Sequence, residues 1–216
     1  MFTPMRLSSA TKITGTDGND YIRSFGNADS TLEGGWGNDT IQGGAGNDYI
    51  SGGRVSIVLQ PDNNLLDGGP GNDTIVGAMG NDTLVGGPGT DRLAGQGGNN
   101  LLFGGPGDDT FVFGHGAPLV PARLIGNDVI LDFRHGDIID LSALNYLGGT
   151  ADLPYRFIGD AAFSGTGPEV RVVVDSFTTR IELDTQYVSW QPADGKVDAI
   201  ITLFGRHALM GDDFFL

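Results

Sequence analysis

The sequence contains no cysteine, only 3 glutamates and only 12 basic residues among its 216. The absence of cysteine excludes disulfide bonds and thiolate metal sites. The basic residues form no cluster, and both nucleic acids and anionic membranes attract a basic patch, so neither is an expected partner. No apolar run approaches the about 20 residues that a spanning helix needs, so we expect no insertion into a membrane.

The N-terminal segment lacks a secretion signal. Residues Met1–Thr14 carry charges at Arg6 and Lys12 with no apolar stretch between them, and a signal peptide needs such a stretch. If the protein is exported, we expect another segment to direct the export.

The negative charge comes almost wholly from aspartate. The sequence has 24 aspartates against 3 glutamates, and its formal charge is -15. An acidic surface that served only solubility would mix the two residues, whereas a short carboxylate suits a tight loop. The 12 Phe, 5 Tyr and 2 Trp indicate a packed core rather than a disordered chain.

The glycines recur at a fixed spacing, and 25 of the 37 lie before residue 110. From Gly34 the chain reads GGWGNDTIQ and GGAGNDYIS; from Gly68 it reads GGPGNDTIV, GAMGNDTLV, GGPGTDRLA, GQGGNNLLF and GGPGDDTFV. Each unit has nine residues of the form G-G-x-G-x-D-x-U-x, where U is a large apolar residue. Such a short period is typical of a solenoid.

Three units are irregular. The first, from Gly15, is partial, and the second, Ser24–Glu33, has one extra residue. The fifth, Gly52–Asp67, is seven residues too long. We assign this excess to Arg54–Gln60, a loop that would project from one turn.

One apolar residue in nine does not match the i, i+3, i+4, i+7 spacing of a helix. Six turn residues followed by a three-residue strand account for the period, because glycine supplies the positive φ that tight turns need. Two units should make one coil, so each strand pairs in parallel with the strand two units away. The U side chains should stack inside the coil: Ile22, Leu32, Ile41, Ile50, Leu66, Ile75, Leu84, Leu93, Leu102 and Phe111.

Glycine becomes sparse after about residue 110, where the sequence indicates a β-rich cap over the open end of the roll. A short helical turn is predicted at Ser142–Leu147. The predicted strands are Asp128–Phe133, Val170–Asp175, Arg180–Leu183 and Asp198–Leu203.

The D positions place one oxygen-bearing side chain on every turn, where stacked carboxylates repel one another unless a cation lies between them. Carboxylate and carbonyl oxygens without His or Cys are ligands of a hard cation, and Ca²⁺ tolerates 6–8 oxygens in irregular geometry. Charge balance predicts about seven Ca²⁺ ions. The predicted side-chain ligands are Asp20, Asp29, Asp39, Asp48, Asn64, Asp73, Asp82, Asp91, Asn100 and Asp109. The glycines predicted to belong to the same sites are Gly35, Gly37, Gly44, Gly46, Gly69, Gly71, Gly80, Gly87, Gly89, Gly105 and Gly107.

The two flanks of the roll should differ. We call the turns with Asp20, Asp39, Asn64, Asp82 and Asn100 the odd flank, and the turns with Asp29, Asp48, Asp73, Asp91 and Asp109 the even flank. Only the even flank has a carboxylate at every step. Because an amide oxygen is a neutral and weaker ligand, we predict tight sites at Asp48/Asp73, Asp73/Asp91 and Asp91/Asp109, and weak or missing sites at Asn64 and Asn100.

The repeats from Gly15 to Phe113 resemble the RTX, or hemolysin-type, calcium-binding repeats. The second half resembles the C-terminal domain of serralysin-type metalloproteases, in DTFVFG from Asp109, DVILDFRHGDIIDLSAL from Asp128 and DGKVDAIITLFG from Asp194. The resemblance implies an all-β fold, a right-handed parallel β-roll capped by a C-terminal β-sandwich-like region. It divides the chain into a tail (1–14), the roll (15–113) and the cap (114–216).

The last six residues, GDDFFL (211–216), place two acidic residues before terminal hydrophobic ones. They resemble the C-terminal signal of substrates of type I ABC exporters. This resemblance implies a secreted, extracellular protein of a Gram-negative bacterium, with the exporter as a partner. An ordinary edge strand is the alternative interpretation.

No catalytic motif is present. The sequence has no H-E-x-x-H, no G-x-S-x-G and no P-loop. The histidines His115, His135 and His207 are far apart, and we expect them to be solvated rather than zinc ligands. Asp132, Asp137 and Asp140 are expected to accept hydrogen bonds from loop amides rather than bind a further ion.

We therefore expect a non-enzymatic module, favoured as a monomer, that is loosely folded where calcium is scarce and folds outside the cell. Two alternatives stay open: the chain is the C-terminal part of a larger secreted RTX enzyme such as a protease, or it is a surface or S-layer adhesin.

Overall fold

The computed structural model describes residues 12–53, 61–114, 126–142, 144, 156–164, 169–184 and 199–216. These residues form strands and a short 3-10 helix at Gly211–Asp213, with no α-helix among them. None of the described helical segments is long and apolar enough to cross a membrane.

Short strands alternate with glycine-rich turns through the repeats. Because each turn ends at the D position, the strand begins at the next residue and carries the U side chain at its centre. In the described residues these strands are β1 (Lys12–Thr14), β2 (Tyr21–Arg23), β3 (Thr31–Gly35), β4 (Thr40–Gln42), β5 (Tyr49–Gly53), β6 (Leu65–Asp67), β7 (Thr74–Val76), β8 (Thr83–Val85), β9 (Arg92–Ala94), β10 (Leu101–Phe103) and β11 (Thr110–Val112).

Successive strands fall into two different sheets. Odd-numbered strands lie side by side in the order β1-β3-β5-β7-β9-β11, and even-numbered ones in the order β10-β8-β6-β4-β2. All of these pairs are parallel, and Leu32 aligns with Ile50, which aligns with Ile75. The predicted all-β fold with a parallel β-roll is confirmed.

Each strand of the repeats contributes one inward-facing side chain to the core between the two sheets. All ten predicted inward residues, from Ile22 to Phe111, are buried. Their neighbours on each strand face outward, as the two-residue period of a strand requires. The same core continues beyond the repeats through Ile130, Ile139 and Leu203.

The C-terminal region adds strands to both sheets. In the described residues they are β12 (Asn127–Ile130), β13 (Ile138–Asp140), β14 (Arg156–Phe157), β15 (Glu169–Val174), β16 (Thr178–Asp184), β17 (Ala199–Phe204) and β18 (Phe214–Phe215). β12 pairs with β10, and β13 pairs with β11, so both sheets run on past residue 113. β17 pairs parallel with β12 and antiparallel with β16, which pairs antiparallel with β15.

Four predicted strands of this region correspond to β12, β15, β16 and β17, with ends shifted by one to a few residues. Most of the predicted helical turn at Ser142–Leu147 lies outside the described residues, as does the predicted loop Arg54–Gln60.

Candidate calcium sites

The D-position side chains are buried just before each strand begins. The residue two positions before an inward-facing U residue points into the turn, where neighbouring glycines allow the coils to approach closely. Gly69 has a φ of +92°, a backbone conformation that residues with a side chain disfavour, so this position in the turn favours glycine. The buried D-position residues are Asp39, Asp48, Asn64, Asp73, Asp82, Asp91, Asn100 and Asp109.

One oxygen of each D-position side chain bonds to the preceding coil of the same flank. The Asp48 N–H donates to Asp73 Oδ1 at 2.6 Å, and the Asp73 N–H donates to Asp91 Oδ1 at 2.7 Å. The odd flank repeats the pattern, since the Asn64 N–H donates to Asp82 Oδ1 at 2.7 Å. These bonds form two ladders that satisfy the buried backbone amides.

The second oxygen of six carboxylates has no hydrogen-bond partner, although it is buried. These atoms are the Oδ2 of Asp39, Asp48, Asp73, Asp82, Asp91 and Asp109. A buried charged oxygen without a donor is strongly unfavourable unless it is protonated or contacts a cation.

Backbone carbonyl oxygens face five of these Oδ2 atoms. A Cβ placed on Gly43 would lie 2.5 Å from Asp48 Oδ2 and 2.5 Å from the Gly68 carbonyl oxygen. A Cβ on Gly86 would lie 2.5 Å from both Asp91 Oδ2 and the Gly104 carbonyl oxygen. We call the space between a D-position carboxylate and the carbonyl oxygen of the first glycine in the next coil of the same flank a cradle. The five cradles pair Asp39 with Gly52, Asp48 with Gly68, Asp73 with Gly86, Asp82 with Gly95, and Asp91 with Gly104.

The two groups that meet in each cradle are a carboxylate oxygen without a hydrogen bond and a carbonyl oxygen, which at Gly86 and Gly104 also accepts a backbone N–H. Such a donor set fits a hard divalent cation, and Ca²⁺ accepts a mixture of carboxylate and carbonyl oxygens. In the part of the chain that is described, no group of three or more His, Cys, Asp or Glu side chains converges. Backbone carbonyls would therefore have to supply a large share of the ligands.

Burial raises the pKa of these carboxyl groups, and neighbouring aspartates raise it further. The pKa is about 6 for Asp39, Asp91 and Asp109. It is about 7 for Asp73 and Asp82. Burial without a contribution from other aspartates also raises the pKa of Asp128, in the C-terminal region, to about 7. In the absence of a cation, the ladder therefore favours protonated carboxyl groups up to near-neutral pH.

Asparagine closes two positions on the odd flank with its own amide. Asn64 Nδ2 donates to the Gly77 carbonyl oxygen at 3.4 Å. In the cradles, the equivalent carbonyl oxygen faces a carboxylate. Asn100 Nδ2 donates to Asp128 Oδ1 at 2.9 Å. At both residues an amide nitrogen thus takes the place of the unpartnered carboxylate oxygen, and weak or missing sites there stay a prediction.

The assignment of Asp29 to the D position is wrong. The Ser30 N–H donates to Asp48 Oδ1 at 2.6 Å, and Ser30 is buried two residues before Leu32. Asp29 is exposed and accepts the Asn47 N–H, in an outer ladder of mainly asparagine side chains. The extra residue of this unit therefore lies before Asp29, which shifts the register by one.

Ser30 and Asp20 lie at the N-terminal ends of the two ladders. The hydroxyl groups of Ser30 and Ser24 are 2.8 Å apart. Asp20 Oδ2 accepts hydrogen bonds from the N–H and the hydroxyl of Thr16. Hydrogen bonds within the protein thus satisfy the side chains at the N-terminal ends of both ladders. Asp20, unlike the six aspartates above, has no buried oxygen without a partner.

Two ladder residues of the C-terminal region were missed. Asp128 accepts the Asn100 N–H at 2.7 Å, and Asp137 accepts the Asp109 N–H at 3.0 Å. The signal was present, because each lies two residues before a buried isoleucine, as in the repeats. The prediction of amide acceptors was correct for Asp137, for Asp132 with Gly104 and Gly105, and for Asp140 with Ser142.

The glycines predicted as ligands lie one or three positions after the first glycine of each unit, and it is the first glycine that lies at the cradle. The carbonyl oxygens of Gly44, Gly69 and Gly87 each face the second glycine of the next coil. The oxygens that face the carboxylates belong instead to the first glycine of each unit, a position that is not among the predicted ligands. Whether the second and third glycines contribute ligands stays a prediction.

The described histidines do not form a metal site. His207 packs edge-on against Phe133, with ring centroids 5.5 Å apart, and its Nε2 lies 3.0 Å from the Phe204 carbonyl oxygen. His115 lies outside the described residues.

Segments 33–54, 60–93 and 85–118 match the family model of the RTX calcium-binding nonapeptide repeat, in 4 copies. A search of curated proteins gave no match. Among solved structures 35 chains match. One is the AlgE6R3 subunit of the mannuronan C5-epimerase from Azotobacter vinelandii, at 23% identity and a TM-score of 0.34, covering 96% of this chain and 78% of that one.

Another is the extracellular lipase LipA from Serratia marcescens, at 16% identity and a TM-score of 0.42. The match covers 97% of this chain, which spans only 40% of the lipase. Similarity at this level transfers neither protein's activity. The nonapeptide repeats, by contrast, imply a calcium-binding β-roll module, and the two parallel sheets have that architecture.

Proposed function

We propose that this chain is a non-catalytic, secreted module that folds on binding Ca²⁺ outside the cell. The observation that carries the proposal is the set of six buried Oδ2 atoms without a hydrogen-bond partner. Five of them face a backbone carbonyl oxygen in a cradle, so five ions are proposed for the described part of the roll, fewer than the about seven expected from charge balance.

Calcium would supply stability that the ion-free roll lacks. An ion that binds only the folded state stabilises it by RT ln(1 + [L]/Kd), which is about 1.4 kcal/mol at ten times Kd. Five such ions would contribute about 7 kcal/mol, comparable with the whole stability of a domain. Extracellular calcium modules bind in the range of 10⁻⁴–10⁻³ M, so scarce cytoplasmic calcium would leave the cradles unstable.

Export by a type I ABC exporter is proposed from the terminal residues. In the folded chain Asp212 and Asp213 lie in the 3-10 helix, and Phe214 is buried in β18 beside β13. The exporter would therefore have to engage this segment before the C-terminal region folds. Calcium-driven folding outside the cell satisfies that order of events.

A calcium titration followed by circular dichroism tests the proposal. We expect a weak β signal in EGTA, a cooperative gain of β structure on adding millimolar Ca²⁺, and little gain with Mg²⁺, which requires regular octahedral geometry. Spectra that do not change with calcium would overturn calcium-coupled folding.

The absence of H-E-x-x-H and of other catalytic motifs supports a non-catalytic role. The resemblance of the second half to the serralysin C-terminal domain leaves open that a catalytic domain precedes this one in a longer chain, which the upstream reading frame would reveal. Sedimentation velocity in calcium should show a monomer. Calcium-dependent assembly would favour the surface adhesin instead.

A further inference from the structure

The last turn of the even flank differs from the turns before it. Along this flank, Asp48, Asp73 and Asp91 each have an Oδ2 atom that faces the first glycine carbonyl of the next coil. Asp109 also has a buried Oδ2 without a hydrogen bond, but the three atoms nearest to a Cβ on Gly104 all belong to Asp109, and none is a carbonyl oxygen of a later coil. The next coil on this side contains Asp132, Arg134 and Asp137.

Arg134 brings a positive charge to this oxygen. Its guanidinium Nη2 lies 3.9 Å from Asp109 Oδ2, and the Asp109 side chain is fully buried. Within the described residues, no other lysine or arginine lies within 4.0 Å of a ladder carboxylate of the repeats. Among the residues that the structure describes, this last step is therefore the only one at which the chain itself places a cationic side chain within 4.0 Å of a D-position carboxylate of the repeats.

Each oxygen of the two surrounding carboxylates already accepts a backbone hydrogen bond, unlike Asp109 Oδ2. Asp137 accepts the Asp109 N–H through Oδ1 at 3.0 Å and the Arg134 N–H through Oδ2 at 2.8 Å. Asp132 accepts the N–H groups of Gly104 and Gly105 through its two oxygens. The N–H of Asp137 in turn donates to the Arg134 carbonyl oxygen at 3.1 Å, which fixes the position of Arg134 in the turn.

We propose that the guanidinium of Arg134 takes the place of a calcium ion at the last coil of the even flank. The inference rests on the proposed function, because it assumes that ions occupy the earlier cradles. It makes the C-terminal step of the ladder independent of calcium, while the steps at Asp48, Asp73 and Asp91 depend on it. Burial raises the pKa of Asp109, and the charge of Arg134 opposes part of that rise.

The test is the number of calcium ions per chain, measured by equilibrium dialysis and calorimetric titration of the full chain. Arg134→Gln keeps the backbone N–H to Asp137 but removes the charge, so we expect one more ion per chain than in the wild type. Arg134→Lys keeps the charge and should bind the wild-type number. Arg92→Gln removes the same charge from a salt bridge to Asp140, outside the ladder oxygens, and should also leave the number unchanged.

The thermal midpoint gives a second measurement. At the lowest calcium concentration that keeps the wild type folded, Arg134→Gln should have a lower midpoint than the wild type, and excess calcium should restore it. An unchanged ion count in Arg134→Gln would overturn the inference. Failure of this variant to fold in excess calcium would also overturn it, because the inference requires that an ion can replace the guanidinium. A wild-type chain that binds no calcium would instead refute the proposed function, and this inference with it.

Discussion

Carboxylates are buried in both the roll and the C-terminal region, but their surroundings differ. Six aspartates of the roll each have an oxygen without a hydrogen-bond partner. In the C-terminal region, Glu182 accepts a hydrogen bond from Arg171 at 2.7 Å, and Glu169 forms an ion pair with Arg156. The pKa of Glu169 reflects this difference: hydrogen bonds from Ser164 and Arg156 outweigh the effect of burial and lower it.

The comparison shows two ways to neutralise a buried carboxylate. An arginine supplied by the chain neutralises it whether or not a metal ion is bound, whereas a cradle of oxygens neutralises it only when a cation is present. The stability of the roll therefore depends on the calcium concentration, and that of the C-terminal ion pairs does not. Arg134 lies where the roll meets the C-terminal region. There an arginine lies beside a carboxylate of the D-position ladder, as arginines do in the C-terminal ion pairs.

The largest expected effect is that of pH on the calcium-free roll. Its aspartates have folded-state pKa values raised from 3.8 to about 6 or 7, as for Asp39 and Asp73. A raised folded-state pKa stabilises the fold below the unfolded-state value, and this stabilisation is lost as the pH rises through 6 to 7. We expect the roll in EGTA to gain β structure between pH 7 and pH 4.

Circular dichroism in EGTA across this range measures the effect, and the same series in excess calcium is its control. With calcium bound, acidification should weaken the fold, because protons compete with the ion. A calcium-free roll that is most stable above pH 7 would contradict the assignment of buried, unpartnered carboxylates.

Filling a cradle should give the next largest effect. In Gly86→Ala the new Cβ would lie 2.5 Å from Asp91 Oδ2 and from the Gly104 carbonyl oxygen. We expect the loss of one ion, about 1.4 kcal/mol at ten times Kd, in addition to an overpacking cost of about 1–3 kcal/mol. Calorimetric titration and thermal melting measure both. Gly18→Ala, where nothing lies within 4 Å, is the matched control and should change neither.

Replacing Asn64 by aspartate should make the odd flank resemble the even flank. Asn64→Asp removes the amide hydrogen from the Gly77 carbonyl oxygen and creates a further cradle. We expect one more bound ion and a stability gain of about 1 kcal/mol in calcium, with a loss in EGTA. Asn63→Asp adds the same charge on the exposed outer ladder and should leave the ion count unchanged. Equal counts in the two variants would show that the amide does not exclude an ion.

Breaking a C-terminal ion pair tests the other side of the comparison. Arg171→Gln leaves Glu182 with the more distant Arg180, at 3.6 Å. Because the pair is partly exposed, we expect a loss of about 1 kcal/mol. The loss should be the same across calcium concentrations that keep the protein folded, as measured by urea unfolding. A loss that grew as calcium was lowered would couple this pair to the ion sites.

The smallest expected effect is that of Asp29→Asn. Asp29 is exposed, and an asparagine oxygen can still accept the Asn47 N–H. We expect no change in the ion count and a change in stability below about 0.5 kcal/mol. Loss of an ion would restore Asp29 as a ligand and contradict the register that places Ser30 in the ladder.

The period of nine made the roll predictable, because each unit contains one large apolar residue and glycine tolerates the tight turns. Ser30 shows where this reasoning fails: an inserted residue can lie anywhere in a turn, and the preference for an acidic residue pointed to Asp29. Counting back two residues from Leu32 would have corrected it. The pairing of β17 with β12 could not be predicted, because it joins segments far apart in sequence without a repeat.

Arg134 could not be recognised from the sequence either. Its role depends on the position of a flexible side chain relative to Asp109, and one arginine in a loop has no periodic signal. The oxygen cradles were predictable in kind but not in detail. The carbonyls of the first glycines, rather than the second and third, face the carboxylates, and the repeat pattern alone does not distinguish among the three.

The hydrogen bonds of the two buried D-position ladders all run in one direction, so the buried part of the roll has a polarity. Each D-position Oδ1 atom accepts the N–H of an earlier coil, as Asp109 does for Asp91, whereas in the exposed outer ladder Oδ1 accepts the N–H of a later coil, as Asn72 does for Thr90. Trimming coils from the N-terminal end would expose acceptor oxygens, which water can serve. Removing coils from the C-terminal end would leave buried N–H groups without a hydrogen-bond acceptor. The buried ladders of the earlier coils therefore depend on the later coils. Unfolding should be easier from the N-terminal end of the roll than from its C-terminal end.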